Sequence, residues 1–194
     1  MSTVTAVRKN GHIAIACDSL IKWGGEKNTA KYVMNHSKIM QVGENYIAIT
    51  GPAAGYNALK HFFAQQEGEV LLRSVEDIFL YWRDFQKALK EDYFFESKSD
   101  ESGFETNTLD ILLINPHGIF AVGAYRDIQQ FSSFYSYGSG NEYALGAMFT
   151  QYDDPKLDAK EIAELGVVAA AEFNDSTGLP LISYSIKEAT HASA

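Results

Sequence analysis

The chain has 194 residues, 46% of them apolar and 21% charged, and carries a formal net charge of −9. That length suits one domain spanning 1–194 with a sizeable buried core, and the negative balance argues against nucleic acid or an anionic membrane as main partner, because both need clustered Lys and Arg. The single cysteine, Cys17, excludes an intrachain disulfide and fits a reducing compartment, and no apolar run reaches the ~18 residues that cross a bilayer.

Thr3 to Val7 alternates and contains β-branched residues, which predicts a strand. Arg8, Lys9 and Asn10 precede only a short apolar stretch with no small-residue cleavage pattern, so no signal peptide is expected and the location is read as cytoplasmic. Lys9-Asn10-Gly11 ends in Asn-Gly, a strong hairpin signal, and His12 to Cys17 follows as a more fully apolar strand closed by Asp18-Ser19. Residues 22–36 are polar, contain Gly24-Gly25, and read as a loop or irregular segment. Lys38–Val42 and Tyr46–Thr50 are strands about a turn at Gly43-Glu44-Asn45, and Gly51-Pro52 breaks the run.

Ala53–Gln66 has helical periodicity. Ser74–Glu91 is a second helix, with Ser74 as N-cap and Glu76-Asp77 where the helix dipole favours them. Glu96–Thr106 reads as a surface loop. Leu109–Asn115 and Gly118–Ala124 form a hairpin, and Phe131–Tyr137 alternates aromatic residues with serine as a further strand. Gly138-Ser139-Gly140 ends it. Asn141–Tyr152 and Asp158–Phe173 are helices, and Leu181–Ile186 is the last strand. Helices arrive in pairs and strands in groups, so a doubly wound βαβ sheet is disfavoured. Two antiparallel sheets packed face to face, with a helix pair on each outer side, satisfy this order.

Five motifs now carry a resemblance. STVTAVRKNGHIAIACDS is similar to the start of mature β-type subunits of the proteasome family of N-terminal nucleophile hydrolases, and within it to the bacterial HslV peptidase. Ser37-Lys38-Ile39 matches the strand with that family's catalytic lysine. Thr50-Gly51 matches its oxyanion glycine. Tyr81-Trp82-Arg83 matches a Trp-Arg pair of its second helix, and Tyr137-Gly138-Ser139-Gly140 matches its Gly-Ser-Gly motif. No one motif is specific, but five in order and spacing are. The resemblance covers nearly the whole chain, with an insertion near 22–27 and a longer loop near 96–106. It implies a four-layer αββα fold of the α+β class, in agreement with the element order.

The resemblance also implies a site. Ser2 aligns with the family's nucleophile, which is usually threonine. Removal of Met1 would expose its α-amine, whose reference pKa of about 7.7–8.0 lets it act as base toward the hydroxyl of the same residue. Asp18 is otherwise a plain turn residue; in the family's arrangement it pairs with Lys38, whose charge lowers the hydroxyl's pKa and keeps the amine neutral. Gly51 is either a strand-to-helix turn or also the N–H donor to the oxyanion, worth about 3–4 kcal/mol in the transition state. Ser139 is either an N-cap or a hydroxyl relaying the amine's proton. After the last helix the family has an Asp four residues before a Gly, with a Ser just ahead of that Gly. This chain has Asn174 and Thr177 at those places, and Asp175, displaced by one, is still placed to help orient the amine.

The histidines His36, His61, His117 and His191 show no metal-ligand spacing, and neither metal nor cofactor is expected. The reading that follows is a self-compartmentalising peptidase. It works as a homo-oligomeric ring on unfolded polypeptide, through an acyl-enzyme ester at Ser2. An ATP-dependent unfoldase is a partner such rings take, but this chain has no GxxxxGK[ST] of its own. Two alternatives stay open: an inactive ring-forming homologue, and an N-terminal nucleophile amidase acting on small amides.

Overall fold

The computed structural model describes residues 2–96, 98–99 and 105–189. The chain opens with a hairpin of β1 (Thr3–Lys9) and β2 (His12–Asp18), turned at Asn10 and Gly11 with φ of 52° and 72°. Two successive left-handed residues match the twist of the flanking strands, and Asn-Gly adopts that pair at little cost. A second, separate hairpin follows, β3 (Ile21–Trp23) and β4 (Glu26–Asn28). It replaces the irregular chain expected at 22–36. Its three-residue strands have no buried face, so period-2 patterning gives no signal for them.

Next come β5 (Ile39–Val42), β6 (Asn45–Thr50), α1 (Ala53–Ala64) and α2 (Val75–Glu91). The Ser74 hydroxyl accepts from Asp77 N–H at 3.1 Å and caps α2 as expected. Of the segment expected as a loop at 96–106, residues 97 and 100–104 lie outside the described residues. The parts on either side pair as β7 (Lys98–Ser99) and β8 (Glu105–Thr106). The chain continues through β9 (Asp110–Asn115), β10 (Gly118–Val122), β11 (Ile128–Phe131) and β12 (Phe134–Gly138). The single strand expected over 131–137 is two. β11 pairs with β10 while β12 pairs with β1, so the chain changes sheet at Ser132-Ser133. The aromatic–serine alternation breaks at that crossing, where Ser132 and Ser133 follow one another, and a single strand over 131–137 passes over that break.

Last are α3 (Asn141–Gln151), α4 (Ala159–Phe173) and β13 (Leu181–Lys187). Asp158 and Glu161 form a reciprocal capping box at the start of α4, with both hydrogen bonds at 2.8 Å.

The two main sheets run β12-β1-β2-β13 and β11-β10-β9-β6-β5, with every pairing antiparallel. Between them lie Val4, Ile13, Ile15 and Cys17 from one sheet and Ala48, Leu112, Ile114 and Ile119 from the other. Ile47, Leu113 and Phe120 turn outward to Leu59, Phe62, Trp82 and Phe85 of α1 and α2. Val7, Ala14 and Ala16 turn outward to Met148, Ile162 and Val167 of α3 and α4. This is the expected αββα order. It explains why Ile13–Cys17 is apolar throughout: a strand covered on both faces has no polar side. Cutting a fully buried middle-layer residue such as Ile15 to alanine costs about 2–5 kcal/mol.

Candidate active site

The hairpin register brings the chain start to the end of β2. Val4 pairs with Cys17, so Thr3 stands beside Asp18, and Thr3 N–H donates to Asp18 Oδ1 at 3.0 Å. Lys38, just ahead of β5, donates to the same Oδ1 at 2.8 Å and to Leu20 C=O at 2.7 Å. Asp18 Oδ2 accepts from Leu20 N–H at 3.0 Å and Gly178 N–H at 3.1 Å. The carboxylate is fully buried, and its four hydrogen bonds occupy the lone-pair positions of both oxygens. Three N–H donors and one ammonium are what a charge at that depth requires.

Ser2, Lys38 and Gly51 line one cavity of about 500 Å³, with Leu20, Trp23 and Tyr56 among its apolar walls. Gly51 has φ +116°, and a Cβ there would stand 2.4 Å from the Thr108 carbonyl oxygen. A side chain is therefore excluded by the backbone of 108 as well as by the cavity.

On its other side Ser2 meets the start of α3. Ser139 N–H donates to Ser2 C=O at 2.8 Å, and the Ser139 hydroxyl lies 3.4 Å from that oxygen and 3.0 Å from Asn174 Oδ1. The N-cap of α3 is Gly140, so Ser139 does not act as the cap and its hydroxyl is left for this cluster. Gly138, with φ +103°, is the close approach that allows it: a Cβ there would fall 1.8 Å from the Ser2 carbonyl oxygen.

Asn174 ends α4 and gathers the remaining polar groups. Its Oδ1 accepts from Ser139 Oγ, from Thr177 Oγ1 at 3.1 Å and from Ser176 N–H at 3.0 Å, while its Nδ2 donates to Ser139 C=O at 2.9 Å. Thr177 Oγ1 lies 2.7 Å from Thr3 Oγ1. Asp175 is not in this cluster. Its side chain is 77% exposed and pairs with Lys22 Nζ at 2.5 Å and with the Ser176 hydroxyl at 2.8 Å. The hydrogen bond from Lys22 holds the Asp175 carboxyl below the usual carboxylate range.

Ser2, Asp18, Lys38, Gly51, Ser139, Asn174 and Thr177 thus come together, and Asp175 points elsewhere. Met1 and His191 lie outside the described residues. Sequence reasoning missed Thr3, which joins the two halves of the cluster, and Lys22, which claims Asp175. The TVTAV alternation held the one available signal. It puts Thr3 and Thr5 on the helix-facing side of β1, where Thr5 Oγ1 donates to Ala163 C=O at 2.8 Å. Cys17 is fully buried, and burial pushes its thiol up to about 12, so it is no nucleophile near neutral pH. No helix among the described residues is long and apolar enough to cross a membrane.

The sequence matches no family model. Among solved structures, Thiobacillus denitrificans BPH is 49% identical, with a TM-score of 0.93 over 97% of this chain and 99% of that one. The same protein in complex with epoxomicin gives 49% identity and a TM-score of 0.92 over 96% and 99%. Eukaryotic HslV from Trypanosoma brucei shares the fold at 12% identity, with a TM-score of 0.68 over 96% and 99%. Anbu, an ancestral beta-subunit from Yersinia bercovieri, shares it at 17% identity, with a TM-score of 0.69 over 95% of this chain and 81% of that one.

Proposed function

The chain belongs to the proteasome β-subunit family of N-terminal nucleophile hydrolases, and from that premise we propose that it is a peptidase whose nucleophile is the Ser2 hydroxyl. Removal of Met1 frees the Ser2 α-amine. The amine takes the proton of Oγ as Oγ attacks the peptide carbonyl, and the new oxyanion accepts from Gly51 N–H. The C–N bond then breaks, the α-ammonium protonates the leaving amine, and an ester joins the acyl fragment to Ser2. A water molecule, deprotonated by the same amine, attacks the ester, and its proton returns to Oγ.

Lys38 supplies the positive charge that favours the serine alkoxide and disfavours an ammonium at the chain end, and Asp18 holds Lys38 in place. Asn174 and Thr177 fix the Ser139 side chain and the Ser2 main chain, and the Ser139 hydroxyl passes the amine's proton. Asp175 serves instead to tie the β3–β4 hairpin to the loop after α4 through Lys22. The observation that carries this reading is the convergence on one carboxylate oxygen. Asp18 Oδ1 is shared by the Thr3 N–H and the Lys38 ammonium, beside a cavity that Ser2 and Gly51 both line.

The substrate class is unfolded polypeptide, cleaved in the cytoplasm by a ring of identical copies of this one-domain chain and delivered by an ATP-dependent unfoldase. The test is hydrolysis of fluorogenic peptides and unfolded casein by the Met-free chain and by Ser2→Ala. Turnover by the first and none by the second is expected. A Met-free chain that cleaves neither substrate overturns the reading and favours an inactive ring-forming homologue, or, with turnover of small acylamides alone, an amidase.

A further inference from the structure

Ser2 and Thr3 share one peptide unit, and that unit is clamped from both sides. Its C=O accepts from Ser139 N–H at 2.8 Å, and its N–H donates to Asp18 Oδ1 at 3.0 Å. The fully buried Thr3 side chain extends the clamp. Gly140 N–H donates to Thr3 Oγ1 at 3.1 Å, and Thr177 Oγ1 lies 2.7 Å away. The proton directions follow from the partners. Thr177 donates its one hydroxyl proton to Asn174 Oδ1, so the proton between the two threonines comes from Thr3. The chain therefore runs from Thr3 to Thr177 to Asn174. Ser139 Oγ donates to the same Asn174 oxygen, while its N–H holds the Ser2 carbonyl.

We propose that Thr3 is a positioning residue for the Ser2 nucleophile, its hydroxyl locking the Ser2–Thr3 peptide between the Asp18–Lys38 pair and the Ser139–Asn174–Thr177 cluster. The proposal rests on the reading of Ser2 as nucleophile. Through its N–H, Thr3 touches the charged half of the site; through its hydroxyl, it touches the neutral half. With the peptide plane fixed, only rotations about the Ser2 Cα bonds remain to place the hydroxyl and the amine. Loss of the Thr3 hydroxyl leaves the Gly140 N–H without its acceptor and Thr177 without its donor in a dry region. The start of β1 then shifts to compensate, and Ser2 moves relative to Lys38 and Gly51.

The test compares Thr3→Val, which keeps the shape and removes the hydroxyl, with Thr3→Ser, which keeps the hydroxyl. The readouts are kcat and KM on a fluorogenic peptide and the rate at which a peptide epoxyketone adds to Ser2. Thr3→Val is expected to lower kcat and the addition rate together by about tenfold to a hundredfold with KM unchanged, since small misplacement of a reacting group has that effect. Thr3→Ser restores the parental rates. Thr177→Val cuts the same chain from the far end and carries the test where Thr3→Val does not fold. The double variant is no slower than the slower single, because one chain is broken either way. Parental kcat in both Thr3→Val and Thr177→Val, or a Thr3→Ser as slow as Thr3→Val, overturns the proposal. A parental chain that takes no epoxyketone at Ser2 overturns the nucleophile reading, and this proposal with it. A labelled parent beside a Thr3→Val labelled at the same rate overturns this proposal alone.

Discussion

Lys38 Nζ lies 2.8 Å from Asp18 Oδ1, and the carboxylate it touches has no exposed surface. Neither residue tolerates loss of the other. Lys38→Ala leaves a buried carboxylate with backbone donors alone, and breaking a buried pair costs about 3–5 kcal/mol. It also removes the charge beside Ser2. The expected result is loss of peptide turnover by about a hundredfold or more, together with a lower melting temperature. Peptide kinetics and thermal melts on the same preparation check both. Full stability with activity lost would mean that Asp18 does not depend on Lys38 for its compensation.

The pH profile follows from which group is the base. The α-amine of Ser2 accepts a proton only when neutral, so kcat/KM rises with pH and levels off once the amine is deprotonated. An ordinary α-amine titrates at about 7.7–8.0, and the Lys38 ammonium disfavours a second positive charge nearby. The midpoint is therefore expected below that range, with activity lost as pH falls through it. A profile that keeps rising beyond pH 9 would point to a different base.

Gly51 answers to two constraints at once. Gly51→Ala puts a Cβ 2.4 Å from the Thr108 carbonyl oxygen at a φ of +116° that L residues avoid. A strained backbone of this kind costs about 1–3 kcal/mol. The variant is expected to melt lower and to turn over substrate more slowly with the whole cavity wall displaced. Unchanged melting would show that the 108 backbone gives way freely.

Adjacent residues after α4 separate cleanly. Asn174→Ala removes the shared acceptor of the Ser139 and Thr177 hydroxyls and is expected to lower kcat. Asp175→Asn weakens the pair between an exposed carboxylate and the mostly buried Lys22 ammonium, touches none of the groups that hold Ser2, and is expected to leave kcat near the parental level. Kinetics on the two variants side by side check this, and the opposite order would return the positioning role to Asp175.

Burial keeps Cys17 protonated, with its thiol pushed up to about 12. N-ethylmaleimide is expected to leave both the native chain and its turnover unchanged and to label Cys17 only after denaturation. Fast labelling of the folded protein would contradict the packing between the sheets.

The parts of this fold that were legible in the residues are those fixed by local chemistry. Asn10-Gly11 marks its hairpin because few other pairs accept two positive φ values, and Ser74 marks its helix because an N-cap needs a side-chain acceptor. The β3–β4 hairpin was not legible, since three-residue strands with no buried face leave no period. The crossing at Ser132-Ser133 is marked only by a one-residue break in the alternation, which a bulge within one strand would also produce. Asp18, Lys38 and Gly51 are legible as site candidates because each sits in a short motif, next to one end of a strand, that resembles the family's. Thr3 was missed because its partner is Thr177, and nothing local relates a β1 residue to a loop more than 170 positions later. Asp175 misleads for the opposite reason. Its residue type fits the role, and only the geometry reveals that Lys22 takes it.

The most direct measurement is intact-mass and peptide mass spectrometry of the protein from its own cells after incubation with a peptide epoxyketone. The account predicts a chain lacking Met1 that gains one inhibitor mass, located on Ser2. A chain that keeps Met1 and gains no mass, or one labelled elsewhere, would contradict it.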